Sequence, residues 1–292
     1  MNRDISNDSY SNKVMNPKKL TIPLLIALVA LIYVPVFHWL VESWLSNPYY
    51  SHGFLIPLVA GFFMWTNRHA LDRSNQSSSG AVILSLGILV YVIGFSWGMR
   101  YVTALSLLFI VSGFVVQLWG AKGLWSMAFP VGILIFMIPL PILDDVSYEL
   151  QSISAHYSTW LLETIRIPII TDGADITLEG STFTIGLPCS GMNTLIALLA
   201  LGAIYAFVVK GPTYKRVMLF VATLPIAILA NIFRISSIIL VAYYYNVEFA
   251  TGLYHDLSSL IFYMIAFGLL LLLGWLIGCR LRAAHSAEPR ET

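Results

Sequence analysis

Three residues in this chain carry side chains that can perform acyl transfer together: Cys189, Arg234 and His255. Cys189 stands in Pro188-Cys189-Ser190-Gly191, at the start of the apolar run 192–209. A helix N-terminus lowers a thiol pKa and offers backbone N–H donors to an anion, so a cysteine there is a candidate nucleophile. A lone cysteine can equally be a small buried hydrophobe. Pro188 and Gly191, which punctuate the backbone on either side, favour the chemical reading. Arg234 is the one Lys or Arg inside an apolar stretch. An arginine in that setting costs at least ~2.5 kcal/mol on insertion scales and defaults to a functional role. Its competing role is snorkelling to lipid phosphates; Asn231, three residues earlier on the same helical face, argues for a site instead. His255 lies just before the last apolar run. Nucleophile, oxyanion or substrate clamp, and base make the inventory of thiol acyl transfer. His52, in Tyr50-Ser51-His52-Gly53, is a rival base, and His156 a weaker third.

The elements that must position these residues are membrane spans. Of 292 residues, 58% are hydrophobic and 11% charged, and mean hydropathy is +0.79. An ordinary soluble domain carries about 25% charged residues, so a soluble enzyme and a disordered chain are excluded. The 16 basic against 15 acidic residues also speak against a nucleic-acid partner. Two cysteines, Cys189 and Cys279, build no disulfide framework, and no His/Cys cluster has metal-ligand spacing, so neither metal nor cofactor is expected. With roughly 20 apolar residues needed per span, eight candidates follow: 20–41, 53–66 with its flanks, 80–97, 101–119, 123–143, 192–209, 217–244 and 257–278. The fold class expected is an all-α polytopic membrane protein. A flexible cytoplasmic tail covers 1–19, a single transmembrane domain 20–278, and a second cytoplasmic tail 279–292. The first span follows Lys13, Lys18 and Lys19 but is too long for a signal-peptide core, and reads as a retained helix.

Eight spans put both termini on one side, and thirteen of the sixteen basic residues then fall on that side. Lys and Arg stay cytoplasmic, so the termini are expected inside. Arg100 and Arg166 fall outside with ten of the fifteen acidic residues, giving a negative outer face. Cys189, Arg234 and His255 all come to that outer face; about 19 residues from Lys215 at about 1.5 Å each put Arg234 about 28 Å up its helix. One sizeable loop, 144–188, also lies outside. Val146, Leu150, Ile153, Tyr157, Trp160, Leu161 and Ile165 have helical spacing there and predict an amphipathic helix at the membrane interface. From Asp175 to Gly186 apolar and threonine residues alternate about Glu179-Gly180, predicting a β-hairpin that leads into Cys189.

These residues resemble the exosortase/archaeosortase family of polytopic membrane transpeptidases. The likeness rests on Tyr50-Ser51-His52-Gly53-Phe54-Leu55-Ile56-Pro57, Pro188-Cys189-Ser190-Gly191, Asn231-Ile232-Phe233-Arg234 and His255, in that order, from about the first span to the eighth. The resemblance implies Cys189, Arg234 and His255 as the catalytic Cys, Arg and His, and His255 is similar to the bacterial branch. It makes Tyr50, Ser51, His52 and Asn231 candidates for substrate contact, although Ser51 and Gly53 can equally be capping residues.

What the resemblance implies is a cysteine peptidase or transpeptidase of the bacterial inner membrane, with its active site on the extracytoplasmic face. Its substrates would be exported proteins ending in a Pro-Glu-Pro-type motif, one transmembrane helix and a basic tail. A thioester acyl-enzyme would pass to an amine acceptor, such as an envelope lipid or glycan, or to water. The competing classes are a transporter, which would show repeated halves and more intramembrane charge, and a non-catalytic envelope-assembly scaffold.

Overall fold

The computed structural model describes residue 24 and residues 27–71, 77–172, 175–178, 181–184 and 190–281. The expected tail at 1–19, the start of the first span, the Glu179-Gly180 turn, the far end of the second tail and Cys189 lie outside the described residues. Helical residues precede α1 (Val34–Ser46), and Pro35 in its first turn supplies no N–H, which interrupts the ladder at Tyr33. A 3-10 turn at Pro48–Phe54 leads into α2 (Leu55–Asn67), followed by α3 (Ser79–Ser96) and α4 (Arg100–Gly132). Next come α5 (Ile142–Thr164), strands β1 (Ile169–Asp172), β2 (Asp175–Leu178) and β3 (Ser181–Thr184), and α6 (Met192–Val208). The two-residue strand β4 (Val209–Lys210) precedes α7 (Thr213–Tyr244). After a π turn at Ala250–Tyr254, α8 (His255–Leu276) and β5 (Arg280–Leu281) complete the order.

The chain is a mostly helical, polytopic membrane protein. Among the described residues, four segments are long and apolar enough to cross a bilayer: Ser79–Ser96, Arg100–Met137, Thr213–Tyr244 and Val247–Leu276; Met192–Val208 is shorter. The expected second span is short. Its α-helix has 13 residues, about 20 Å, and a hydrocarbon core is about 30 Å thick. The 3-10 turn ahead of it, Pro48–Phe54, stands outside the helix.

The expected spans 101–119 and 123–143 correspond to two helical arms of α4 joined by a kink at Gly120. Gly120 has φ +67° and ψ −173°, a backbone that residues with a Cβ avoid. Val115, Met127 and Val131 then share one small apolar cluster, although Val115 and Val131 would stand about 24 Å apart along a straight helix. The returning arm ends in a 3-10 turn, Ile133–Met137, whose Met137 carbonyl accepts from Trp44 Nε1 at 2.8 Å.

Small residues set the close approaches, as they do between helices in lipid. Gly87 and Gly94 of α3 face Ile110 and Thr103 of α4 so closely that a Cβ would come within 2.9 and 2.6 Å of them. A larger core links α1, α2, α4, α6, α7 and α8. A second one gathers Ala155 and Leu162 of α5, Ile169 of β1, Ile235, Ile238 and Ile239 of α7, and Ala250. That second core lies at the end of the bundle where α7 finishes and α8 begins. At the opposite end β4 pairs antiparallel with β5, Lys215 Nζ donates to the Ile277 carbonyl at 2.6 Å, and Arg216 Nε donates to the Ala206 carbonyl at 2.6 Å.

The amphipathic segment is helical, and its polar face is not turned to water. Ser147, Gln151, Ser154, Ser158 and Thr159 are buried, whereas Val146, Ile153, Tyr157 and Trp160 are exposed on the outer surface of the bundle. The expected apolar stripe is therefore divided, with Leu150 buried, and α5 packs on α7 both through its hydroxyls and through Ala155 and Leu162. Beyond it β1, β2 and β3 form an antiparallel sheet in sequence order, with Asp175 opposite Thr184 and Leu178 opposite Ser181.

Candidate active site

Helix α7 carries the centre of the site. Arg234 lies ten residues before its end, about 15 Å inside, and is 4% exposed. A guanidinium at that depth must have its donors satisfied. Its Nε donates to Ser258 Oγ at 3.3 Å, and its Nη2 lies 3.2 Å from His255 Nε2. Both partners sit in the first turn of α8, three residues apart, so one helical face presents them together. Ser258 is fully buried, and its hydroxyl donates to the His255 carbonyl at 2.8 Å. Ser259 Oγ donates to the same carbonyl at 3.2 Å. On its other edge the imidazole Nδ1 lies 3.3 Å from Asp256 Oδ1.

Asn231, one turn below Arg234, joins three elements. Its Nδ2 donates to Ser154 Oγ of α5 at 3.0 Å. Gly191, at the N-terminus of α6, sits so close that a Cβ there would meet Asn231 Cγ at 2.6 Å. Gly191 also has φ +81°, in the left-handed region. Ser190 is 1% exposed, and its Oγ accepts from the Met192 N–H at 3.2 Å, satisfying one of the free donors of the α6 N-terminus. Ser158 Oγ donates to the Ile232 carbonyl at 3.0 Å, a second stitch from α5 to α7. The Ser190-Gly191 end of the Pro-Cys-Ser-Gly segment is thus held one helical turn from Arg234.

The structure brings together Arg234, His255, Asn231 and Ser190-Gly191. Cys189, the residue preceding Ser190 in sequence, lies outside the described residues. The Tyr50-Ser51-His52 turn packs against α6 and the Ile133–Met137 turn. Tyr50 is buried, its hydroxyl accepts from the Leu140 N–H at 2.9 Å, and burial pushes its phenol up to about 12. Ser51 is exposed. His52, in the turn outside the spanning helices, bonds the Phe136 backbone, and burial lowers its pKa below the ordinary value of 6.5. His156 is exposed on α5, with its ring edge-on to Tyr157.

Sequence reasoning missed Ser154, Ser158, Asp256 and Ser258. The α5 pair had a visible signal, since Ser147, Gln151, Ser154 and Ser158 repeat at three- and four-residue steps. Ser258 had only its place three residues after His255. Among the described residues, no cluster of three or more His, Cys, Asp or Glu side chains has the arrangement of a metal site. A guanidinium beside an imidazole, at the mouth of a helix N-terminus, can accept a proton at one atom and stabilise an oxyanion at the next.

A family model described as transmembrane exosortase matches residues 44–272 of the chain. No curated protein and no solved structure matches it.

Proposed function

Because the chain belongs to the transmembrane exosortase family, a family of membrane transpeptidases, we propose that it is a cysteine transpeptidase with Cys189, Arg234 and His255 as its catalytic residues. The observation that carries this reading is the Arg234–His255 contact at 3.2 Å. Two residues that the family resemblance marks as catalytic, 21 positions apart on different helices, are hydrogen-bonded beside the end of the Pro-Cys-Ser-Gly segment.

The substrates are exported proteins with a C-terminal sorting signal: a short Pro-Glu-Pro-type motif, one transmembrane helix and a basic tail. The Cys189 thiol gives its proton to His255 Nε2, and the thiolate attacks the carbonyl carbon of the scissile peptide. Arg234 and N–H groups at the α6 N-terminus stabilise the tetrahedral oxyanion. As the C–N bond breaks, the leaving amine takes the proton from His255, and a thioester on Cys189 remains. An amine acceptor then attacks the thioester and loses its proton to His255, and the thiolate departs. The reaction faces the extracytoplasmic side of the bacterial inner membrane, in keeping with the basic residues gathered at the other face.

Proton acceptance at Nε2 removes the lone pair that faces Arg234. The guanidinium, which only donates, then loses one partner at the moment an oxyanion needs a donor. Uptake of the proton and release of an Arg234 N–H are therefore the same event.

The test is mass spectrometry of a sorting-signal substrate incubated with membranes holding the protein. Wild type yields a shortened substrate and a thioester adduct at Cys189. Cys189→Ala leaves the substrate whole. Arg234→Lys, which keeps charge but loses the planar fork, slows cleavage by about 100-fold or more. Normal cleavage by Cys189→Ala would overturn the reading.

A further inference from the structure

We infer that Asp256 is a positioning residue that, opposite Arg234, fixes His255 as the tautomer with its proton on Nδ1 and its lone pair on Nε2. The inference rests on His255 acting as the base, and it concerns a residue to which the family resemblance assigns no role.

The argument starts from donor chemistry. A guanidinium has five N–H donors and no acceptor, whereas a neutral imidazole has one of each. Arg234 Nη2 is 3.2 Å from Nε2, so a hydrogen bond there requires an unprotonated Nε2. The single imidazole proton then resides on Nδ1, where Asp256 Oδ1 at 3.3 Å accepts it. The opposite tautomer would set two N–H groups against each other at Arg234 and a lone pair against a carboxylate at Asp256. Each side of the ring selects the same form.

The clamp is braced from below. Ser258 accepts from Arg234 Nε and donates to the His255 carbonyl, so the guanidinium and the backbone that carries the imidazole share one buried hydroxyl. Asp256 itself is open, with 86% of its side chain exposed. An acidic residue in the first turn of a helix also favours that helix through its dipole. The two roles differ in what they predict. A dipole partner changes the stability of α8, whereas a tautomer partner changes which ring nitrogen carries hydrogen and how fast a proton moves.

The experiment uses the full chain in lipid nanodiscs with 15N-labelled histidine, the His255 signals being assigned by their loss in His255→Gln. In wild type, Nδ1 bears the proton. Asp256→Ala transfers a large share of the signal to the Nε2–H form, and Asp256→Glu restores the wild-type pattern. In parallel, Asp256→Ala lowers kcat for thioester formation at Cys189 on the order of 10- to 100-fold with KM unchanged, and Asp256→Glu recovers most of it. An Asp256→Ala protein with the wild-type histidine spectrum overturns the inference and leaves Asp256 as a helix-terminus charge. If wild type forms no adduct at Cys189 while the spectra change as expected, the transpeptidase reading fails and the clamp stands.

Discussion

At Gly191 a single added carbon would disturb the site directly. Its φ of +81° disfavours any side chain, and a Cβ would sit 2.6 Å from Asn231 Cγ and 2.9 Å from Asn231 Cβ. Gly191→Ala should therefore displace the α6 N-terminus and reduce thioester yield at Cys189 by about 10-fold or more, measured by intact mass. Adding Asn231→Ala to Gly191→Ala restores only part, because the Cβ contact and the backbone strain both persist. His52 gives a different signature. Burial lowers its pKa in the folded chain below 6.5, so between those two values the unfolded state binds the extra proton and stability falls as pH falls. The melting temperature of wild type in detergent should drop between pH 7 and pH 5, and His52→Gln should show a smaller drop over the same interval. Equal drops in the two proteins would remove His52 as a contributor.

At the scale of elements, α5 shows how lipid changes the meaning of a pattern. Apolar residues at helical spacing mark the face that looks for an apolar environment, and in a bilayer that environment is outside the protein. The small hydroxyls therefore join Leu150, Ala155 and Leu162 on the packing face, with Ser154 bonded to Asn231 and Ser158 to the Ile232 carbonyl. Ser154→Leu should cost about 2 kcal/mol or more by overpacking and by taking away a buried partner, read as loss of thermal stability in detergent. Trp160→Leu, at a position 61% exposed, should leave the unfolding temperature nearly unchanged. The helix was legible because its periodicity spans six turns; its orientation was not, since spacing alone does not say which face meets lipid. Arg234 was legible for the opposite reason, because a guanidinium in an apolar run has to be answered by partners. The partner Ser258 was not, because serine occurs throughout these helices and only the fold selects this one.

For the whole molecule, an eight-span topology collects the basic residues at one face and places the proposed chemistry at the other. That division is testable in cells expressing a chain with Cys189→Ser and Cys279→Ser and one new cysteine. A membrane-impermeant maleimide should label Tyr245→Cys, in the turn that follows α7, and leave Tyr214→Cys unlabelled until the membrane is opened. Both tyrosines are well exposed in the fold, at 78% and 68%, so access is decided by the bilayer. The reverse pattern would turn the protein over and detach the site from exported substrates.

The strand pair that ties Val209-Lys210 to Arg280-Leu281 is the feature farthest from the chemistry. Together with the Lys215–Ile277 bond it ties α6, α7 and α8 together at one end, while the reacting groups are carried at the other. Such a frame is a lever. A tilt of roughly 5° at the tied end of a ~30 Å helix moves its far end by about 2–3 Å, close to the whole length of the Arg234–His255 hydrogen bond. The tolerance of the reaction is thus set by three residue pairs at the base of the lever, about a helix length away from the proposed chemistry.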